Sequence, residues 1–238
     1  MNFHRPALLG VALLLTCASH AADAPAREDL PRWAQLQAVV AKLPKITSLR
    51  AKFKQERTSA LLAEPAVSTG TFVARGVQSK WDTQGDNPSV MMVDAGDGKR
   101  AGSMRVYYPA QKTLEIYPLD ARFAAAMAGP SPDLKLLQEH FTLDALKEDA
   151  KTHALTLELA PIQADLKAHV SKVIAVMDAT TGCLQSLATI DANDESTTAS
   201  FSEVEVNPKI DEAQLRLEVP ADTKEVWPAG KPKEASPS

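Results

Sequence analysis

From residue 48 onward the chain keeps returning to one pattern: apolar side chains at every second position, then a turn. Leu49, Ala51 and Phe53 alternate with charged residues, and Leu155, Leu157 and Leu159 alternate with Thr156 and Glu158. A period of two places successive side chains on opposite faces of a strand. The same signal predicts strands over 48–58, 67–75, 88–94, 104–108, 112–117, 141–146, 155–159, 170–178, 184–191, 197–206 and 214–219. The links between them are short and rich in turn residues, as in Gly76, Ala95-Gly96-Asp97-Gly98, Thr180-Thr181-Gly182 and Ala192-Asn193-Asp194-Glu195. About ten or eleven strands joined this way make one antiparallel sheet, strongly curved, with helices against one face. The fold class is α+β.

Helical spacing occurs at few places. Leu30, Trp33, Leu36, Val40 and Leu43 share one face of a helix, with Asp29 as N-cap, Pro31 just inside and Pro44 as the stop. A second helical stretch interrupts the strands. Residues 119–128 are Ala-rich, with Phe123 and Met127 four apart, and Gly129-Pro130 breaks them. Ser131-Pro132 then reads as a helix start with a serine N-cap, followed by Leu134, Leu137, Gln138 and Phe141.

The N-terminus carries a targeting signal. His4 and Arg5 precede an apolar run over 7–15, and Ser19-His20-Ala21 is an A-x-A-like site, which predicts cleavage at Ala21 or Ala22. The run is too short to span a membrane, and no later run approaches the length needed. A soluble, exported mature protein follows, with the domain at 22–227 and a Pro/Lys/Glu/Ser tail at 228–238 expected to be disordered. Leu14-Leu15-Thr16 before Cys17 departs from the small residues favoured ahead of a lipidated cysteine, so lipid anchoring is disfavoured. Without Cys17 only Cys183 remains, and no internal disulfide can form.

Composition bounds the function. With 45% hydrophobic and 5% aromatic residues, any core or pocket is mainly aliphatic. Net charge is −4, or −4 − 1 = −5 once Arg5 is removed, which argues against nucleic acid as a partner and supplies no polybasic membrane anchor. His140, His153 and His169 have no metal-ligand spacing and no cysteine beside them, so no metal or other cofactor is expected. A G-x-S-x-G elbow and a phosphate-binding glycine loop are both missing. Asp94-Ala95-Gly96-Asp97-Gly98 lacks the closing glutamate of a calcium loop and reads as a hairpin turn, and Asp191 and Asp194 sit in a turn as well. No catalytic residue is assigned, and the chain is not expected to be an enzyme.

Arg75 shares a strand side with Val73, just before the break at Gly76. Either that side faces water, or Arg75 must find acceptors inside, because a guanidinium cannot shed its charge.

Taken in order, these segments resemble the LolA family of periplasmic outer-membrane lipoprotein carriers. The resemblance rests on the N-terminal amphipathic helix, Leu49-Arg50-Ala51-Lys52-Phe53-Lys54-Gln55, Gly70-Thr71-Phe72-Val73-Ala74-Arg75 with Trp81 beyond it, Phe201-Ser202-Glu203-Val204-Glu205-Val206-Asn207, and Leu215-Arg216-Leu217-Glu218-Val219-Pro220. Gly76 stands where the family has proline, Ser79 where it has an aromatic residue, and Lys99-Arg100-Ala101-Gly102-Ser103 intervenes before an expected aromatic strand; these point to a divergent branch. The resemblance implies an incomplete, unclosed barrel under a helical lid. It implies a periplasmic chaperone that takes the acyl chains of a lipoprotein from an inner-membrane donor transporter to an outer-membrane acceptor, and a monomer is expected. Arg75 would latch the lid, much of it from 119–138. Leu49, Phe53, Phe72, Val73, Met91, Met92, Met104, Val106, Leu114, Ile116, Phe123 and Met127 are the expected cavity or lid residues. Alternative readings are a carrier of another acylated lipid, glycolipid or pigment ester, a lipid- or envelope-stress sensing module of the same fold, and, least favoured, an acyl hydrolase.

Overall fold

The computed structural model describes residues 27–96, 101–119, 124–125, 128, 130, 133–228 and 230–231. The leader, Cys17, the cleavage site, Phe123, Met127, Ser131-Pro132 and most of the tail lie outside these residues. Twelve strands form one hydrogen-bonded sheet in the order β12-β6-β5-β4-β3-β2-β1-β11-β10-β9-β8-β7. They are β1 Ser48–Thr58, β2 Ala66–Arg75, β3 Gln78–Gln84, β4 Ser89–Asp94, β5 Gly102–Tyr108, β6 Thr113–Leu119, β7 Phe141–Asp149, β8 Ala154–Pro161, β9 Lys172–Asp178, β10 Leu184–Ile190, β11 Ser196–Val206 and β12 Lys224–Val226. The sheet is not closed, since β12 and β7 stand at opposite ends of the order.

Three expectations are corrected. The described residues form twelve strands, one more than the upper expectation, because the polar stretch Gln78–Gln84 is a strand paired on both sides, with β2 and β4. The segment 214–219 is not a strand. A capping box between Asp211 and Gln214 starts a 3-10 turn over Glu212–Leu215, and the last strand is Lys224–Val226, paired parallel to β6. The helix after the Ala-rich stretch begins with Asp133 as its N-cap, the carboxylate accepting from Leu136 N at 3.0 Å.

The sheet residues divide between two compact units. The first comprises 27–45, 53–68 and 133–204 among the described residues. Its core packs helix α1 (Leu30–Val40) and helix α2 (Leu134–His140) against β7, β8 and β9. Trp33, Leu36, Leu143 and Leu155 are fully buried there. Asp29 is no side-chain cap for α1. Its carboxylate instead accepts from Arg27 Nε at 2.9 Å and Nη2 at 2.6 Å, from Trp33 Nε1 at 2.6 Å and from Leu143 N at 2.8 Å. The Arg27 guanidinium beside Asp29 holds its carboxyl far below the usual carboxylate range, against the opposing effect of burial. Arg27 also donates to the carbonyls of Gln138 and Phe141, so the residues just before α1, the end of α2 and the start of β7 share one partly buried ion pair.

The second unit comprises, among the described residues, 46–52, 69–96, 101–119, 124–125, 128, 130, 205–228 and 230–231. Its strands β2 to β6 run in consecutive hairpin order. Gly76, at φ +60°, makes the turn between β2 and β3, a conformation that glycine enters without a Cβ penalty. Val73, Ile210 and Leu215 form a small buried cluster on one side of this unit.

Candidate functional site

Partners across an antiparallel ladder point to the same side, so the register of β2 to β6 sorts the second unit's side chains into two faces. One face is built of rungs. Ala74, Ser79, Val93, Met104 and Tyr117 make one, Phe72, Trp81, Met91, Val106 and Glu115 the next, and Gly70, Thr83, Ser89, Tyr108 and Thr113 the third. Most of it is out of water: Met91, Val93, Met104 and Val106 are each 1–2% exposed. Phe72 and Trp81 pack across strands with ring centroids 4.6 Å apart and ring planes tilted by 50°. At the Gly102 end the face meets a helical residue, since a Cβ built on Gly102 would lie 2.9 Å from Ala124 Cβ and 3.0 Å from the Leu119 carbonyl. Ala124, Ala125 and Ala128 are helical, and Ala124 and Ala128 are fully buried.

The opposite face carries Val73, Lys80, Met92, Arg105 and Ile116 on one rung and Arg75, Gln78, Asp94, Ser103 and Pro118 on another. Arg75 is half-buried, and its Nη1 donates to the carbonyl of Ile210 at 2.6 Å. Arg105 Nη2 lies 3.4 Å from Met92 Sδ. Asp94 Oδ2 accepts from Gln78 Nε2 at 2.9 Å, and its Oδ1 from Gly96 N at 2.8 Å.

The expected cavity residues are therefore not brought to one surface. Phe72, Met91, Met104 and Val106 lie on the helix-side face, whereas Val73, Met92, Leu114 and Ile116 lie on the other with Arg75. Leu49 and Phe53 are buried on one side of β1, Leu49 in the second unit and Phe53 in the first. Phe123 and Met127 lie outside the described residues. Among the described residues, the side-chain hydrogen bond of Arg75 goes to the Ile210 carbonyl, in the segment after β11.

Alternation alone missed Trp81, Val93, Ser79, Thr83, Ser89, Tyr108 and Tyr117. The signal that finds them is register. Once Gly76 is read as a two-strand turn, Phe72 must face Trp81, and every second residue of the next three strands follows. Glu115 sits at the far end of this face, its Oε2 accepting from Tyr117 OH at 2.7 Å and lying 3.5 Å from Tyr108 OH. Among the described residues, no three His, Cys, Asp or Glu side chains gather where a metal could be held. None of the described helices is long and apolar enough to cross a membrane.

The family model for the outer membrane lipoprotein carrier protein LolA matches residues 44–217, well over half of the chain. The chain belongs to the LolA family. No curated protein matches it. Among solved structures, this LolA-family chain is similar to an uncharacterized conserved protein from Thermus thermophilus, at 12% identity and TM-score 0.49, covering 81% of this chain and 99% of that one. It is similar to a putative outer membrane lipoprotein-sorting protein domain from Vibrio parahaemolyticus, at 12% identity and TM-score 0.44, covering 77% and 95%. It is also similar to a chain of the Pseudomonas aeruginosa MucA/MucB complex, at 15% identity and TM-score 0.34, covering 80% of this chain and 61% of that one. The LolA match spans β1 to the 3-10 turn at Glu212–Leu215, and so takes in both faces described above.

Proposed function

We propose that the protein is a periplasmic carrier that binds the acyl chains of a lipoprotein and moves them from an inner-membrane donor to an outer-membrane acceptor. Membership in the LolA family carries this reading. The physics of the second unit supports it. A buried CH₂ is worth about 0.8 kcal/mol, so a multiply acylated molecule needs an apolar escort through water. The rung Phe72, Trp81, Met91 and Val106 offers such a surface, aliphatic and aromatic, with a flexible thioether among its groups. Phe72, Met91, Met104 and Val106 are the expected cavity residues that share it, and in this reading they line the site with Trp81 and Val93. Arg75 acts as a latch on the C-terminal segment through the Ile210 carbonyl.

Native mass spectrometry of the protein purified from its own periplasm tests the proposal. A bound acylated lipoprotein supports it and names the cargo. A bound glycolipid or free lipid moves the function to another acyl carrier. Protein that stays empty, and that fails to withdraw a lipoprotein from donor membranes in a transfer assay, overturns it.

A further inference from the structure

Three buried hydroxyls on the helix-side face find no hydrogen-bond partner among the described residues. Ser79, Thr83 and Ser89 are 0%, 4% and 1% exposed, and Ser79 Oγ, Thr83 Oγ1 and Ser89 Oγ have no hydrogen-bond partner. Buried polar side-chain atoms are mostly bonded in native proteins, because a buried hydroxyl left unbonded gives up its hydration for nothing. Alanine or valine would fill these places without that penalty. Three such groups on one face of two neighbouring strands form a pattern that the apolar packing does not require.

Their placement describes a ligand. Thr83 and Ser89 are direct cross-strand partners, so their Cβ atoms are about 5 Å apart. Ser79 lies four residues from Thr83 on the same strand, about 13 Å away, with the rung of Trp81 and Met91 between. A matching molecule is apolar along its body and carries hydrogen-bond acceptors at separated points. Those acceptors are uncharged. The formal charge among the residues of the three rungs is the Glu115 carboxylate, which would repel an anion. Ester and amide carbonyls flanked by alkyl chains meet every condition, since a carbonyl oxygen accepts from a hydroxyl and carries no net charge.

We propose that Ser79, Thr83 and Ser89 form a carbonyl-reading strip that hydrogen-bonds the ester and amide linkages of a bound acylated molecule. The strip distinguishes acyl chains from ether-linked or bare alkyl chains of the same length. It rests on the carrier reading above and adds to it the part of the cargo that is recognised.

The test uses the full mature chain and two synthetic probes: an S-diacylglyceryl cysteinyl lipopeptide with an N-acyl group, and its dialkyl ether analogue with equal chain lengths. Affinities are read by competition against a fluorescent fatty-acyl ligand. The ester probe is expected to bind about tenfold tighter than the ether. The triple variant Ser79→Ala, Thr83→Val, Ser89→Ala is expected to erase that preference. The same variant without ligand is expected to melt at a higher temperature, since it removes unbonded hydroxyls. Equal affinity for the two probes overturns the strip and leaves the carrier reading standing. A lower melting temperature of the ligand-free variant also overturns it, because it shows that the hydroxyls serve the fold. Failure of both probes to bind defeats the carrier reading, and the strip with it.

Discussion

Arg75 Nη1 donates to the carbonyl of Ile210 at 2.6 Å, beside the cluster in which Val73 packs on Ile210 and Leu215. One strand thus holds the C-terminal segment by two means, a charge-assisted hydrogen bond and an apolar contact two residues away.

Replacing Arg75 separates these two means. Arg75→Leu should keep the fold, because Val73 still packs, but lose about 1.5–3 kcal/mol, the usual worth of a hydrogen bond to a charged group. Hydrogen exchange should rise in 208–217 while β3 and β4 stay protected. In a transfer assay the variant should hold cargo too long or fail to release it. An unchanged release rate would remove the latch role.

Asp29 ties part of the acid stability to one ion pair. Its folded value is depressed, chiefly by the Arg27 hydrogen bond, so its contribution is present above the ordinary carboxylate value near 4 and fades as pH falls toward the folded value. Asp29→Asn should lose about 3 kcal/mol at neutral pH, because it leaves the Arg27 guanidinium without its ion-pair partner. The wild-type and variant stabilities should converge as pH drops from about 4 toward about 2. Denaturant midpoints across that range give the answer; parallel curves would show that Asp29 is not the group responsible.

The approach of Gly102 to Ala124 is testable by a pair of exchanges. Gly102→Ala places its Cβ 2.9 Å from that of Ala124 and should cost about 1–3 kcal/mol. Ala124→Gly in the same chain should return part of that loss, so the double-mutant cycle should show a coupling energy of the opposite sign to the single loss. Additive effects would mean that the two residues do not touch in solution.

Leu143 anchors the first unit, fully buried on β7 beneath the helices. Leu143→Ala should cost about 2–5 kcal/mol by thermal or chemical unfolding. A loss under about 1 kcal/mol would place the core elsewhere.

Much of this was legible from residue order. Trp33 and Leu36 at helical spacing gave α1 its buried face, and Leu155, Leu157 and Leu159 gave β8 its alternation, because one side of each element is wet. The strand Gln78–Gln84 was not legible. Its inward positions are Ser79, Trp81 and Thr83, so two of three carry hydroxyls, and no apolar period marks it. The opposite error arose at Leu215-Arg216-Leu217, where alternation is clear yet no ladder partner takes the segment, and Leu215 is satisfied by packing on Val73 and Ile210. The side assignment of Met91 and Met92 was invisible for a third reason. Adjacent apolar residues signal that both faces are covered, and only the register with Trp81 and Lys80 tells which face each one serves.

Because the sheet does not close, its two end strands each have a side that no further strand takes, and such a side is the template on which strands self-associate. Each end carries its own deterrent. On β7, Asp144, Lys147, Glu148 and Asp149 are exposed, and the ladder to β8 shifts register between Leu143 and Ala145, so the free side is charged and uneven. On β6, the three residues Lys224–Val226 lie along the strand and end quickly, leaving too short a ribbon for another molecule to extend. An open sheet can therefore keep one apolar face without inviting its own kind to stack on the rim.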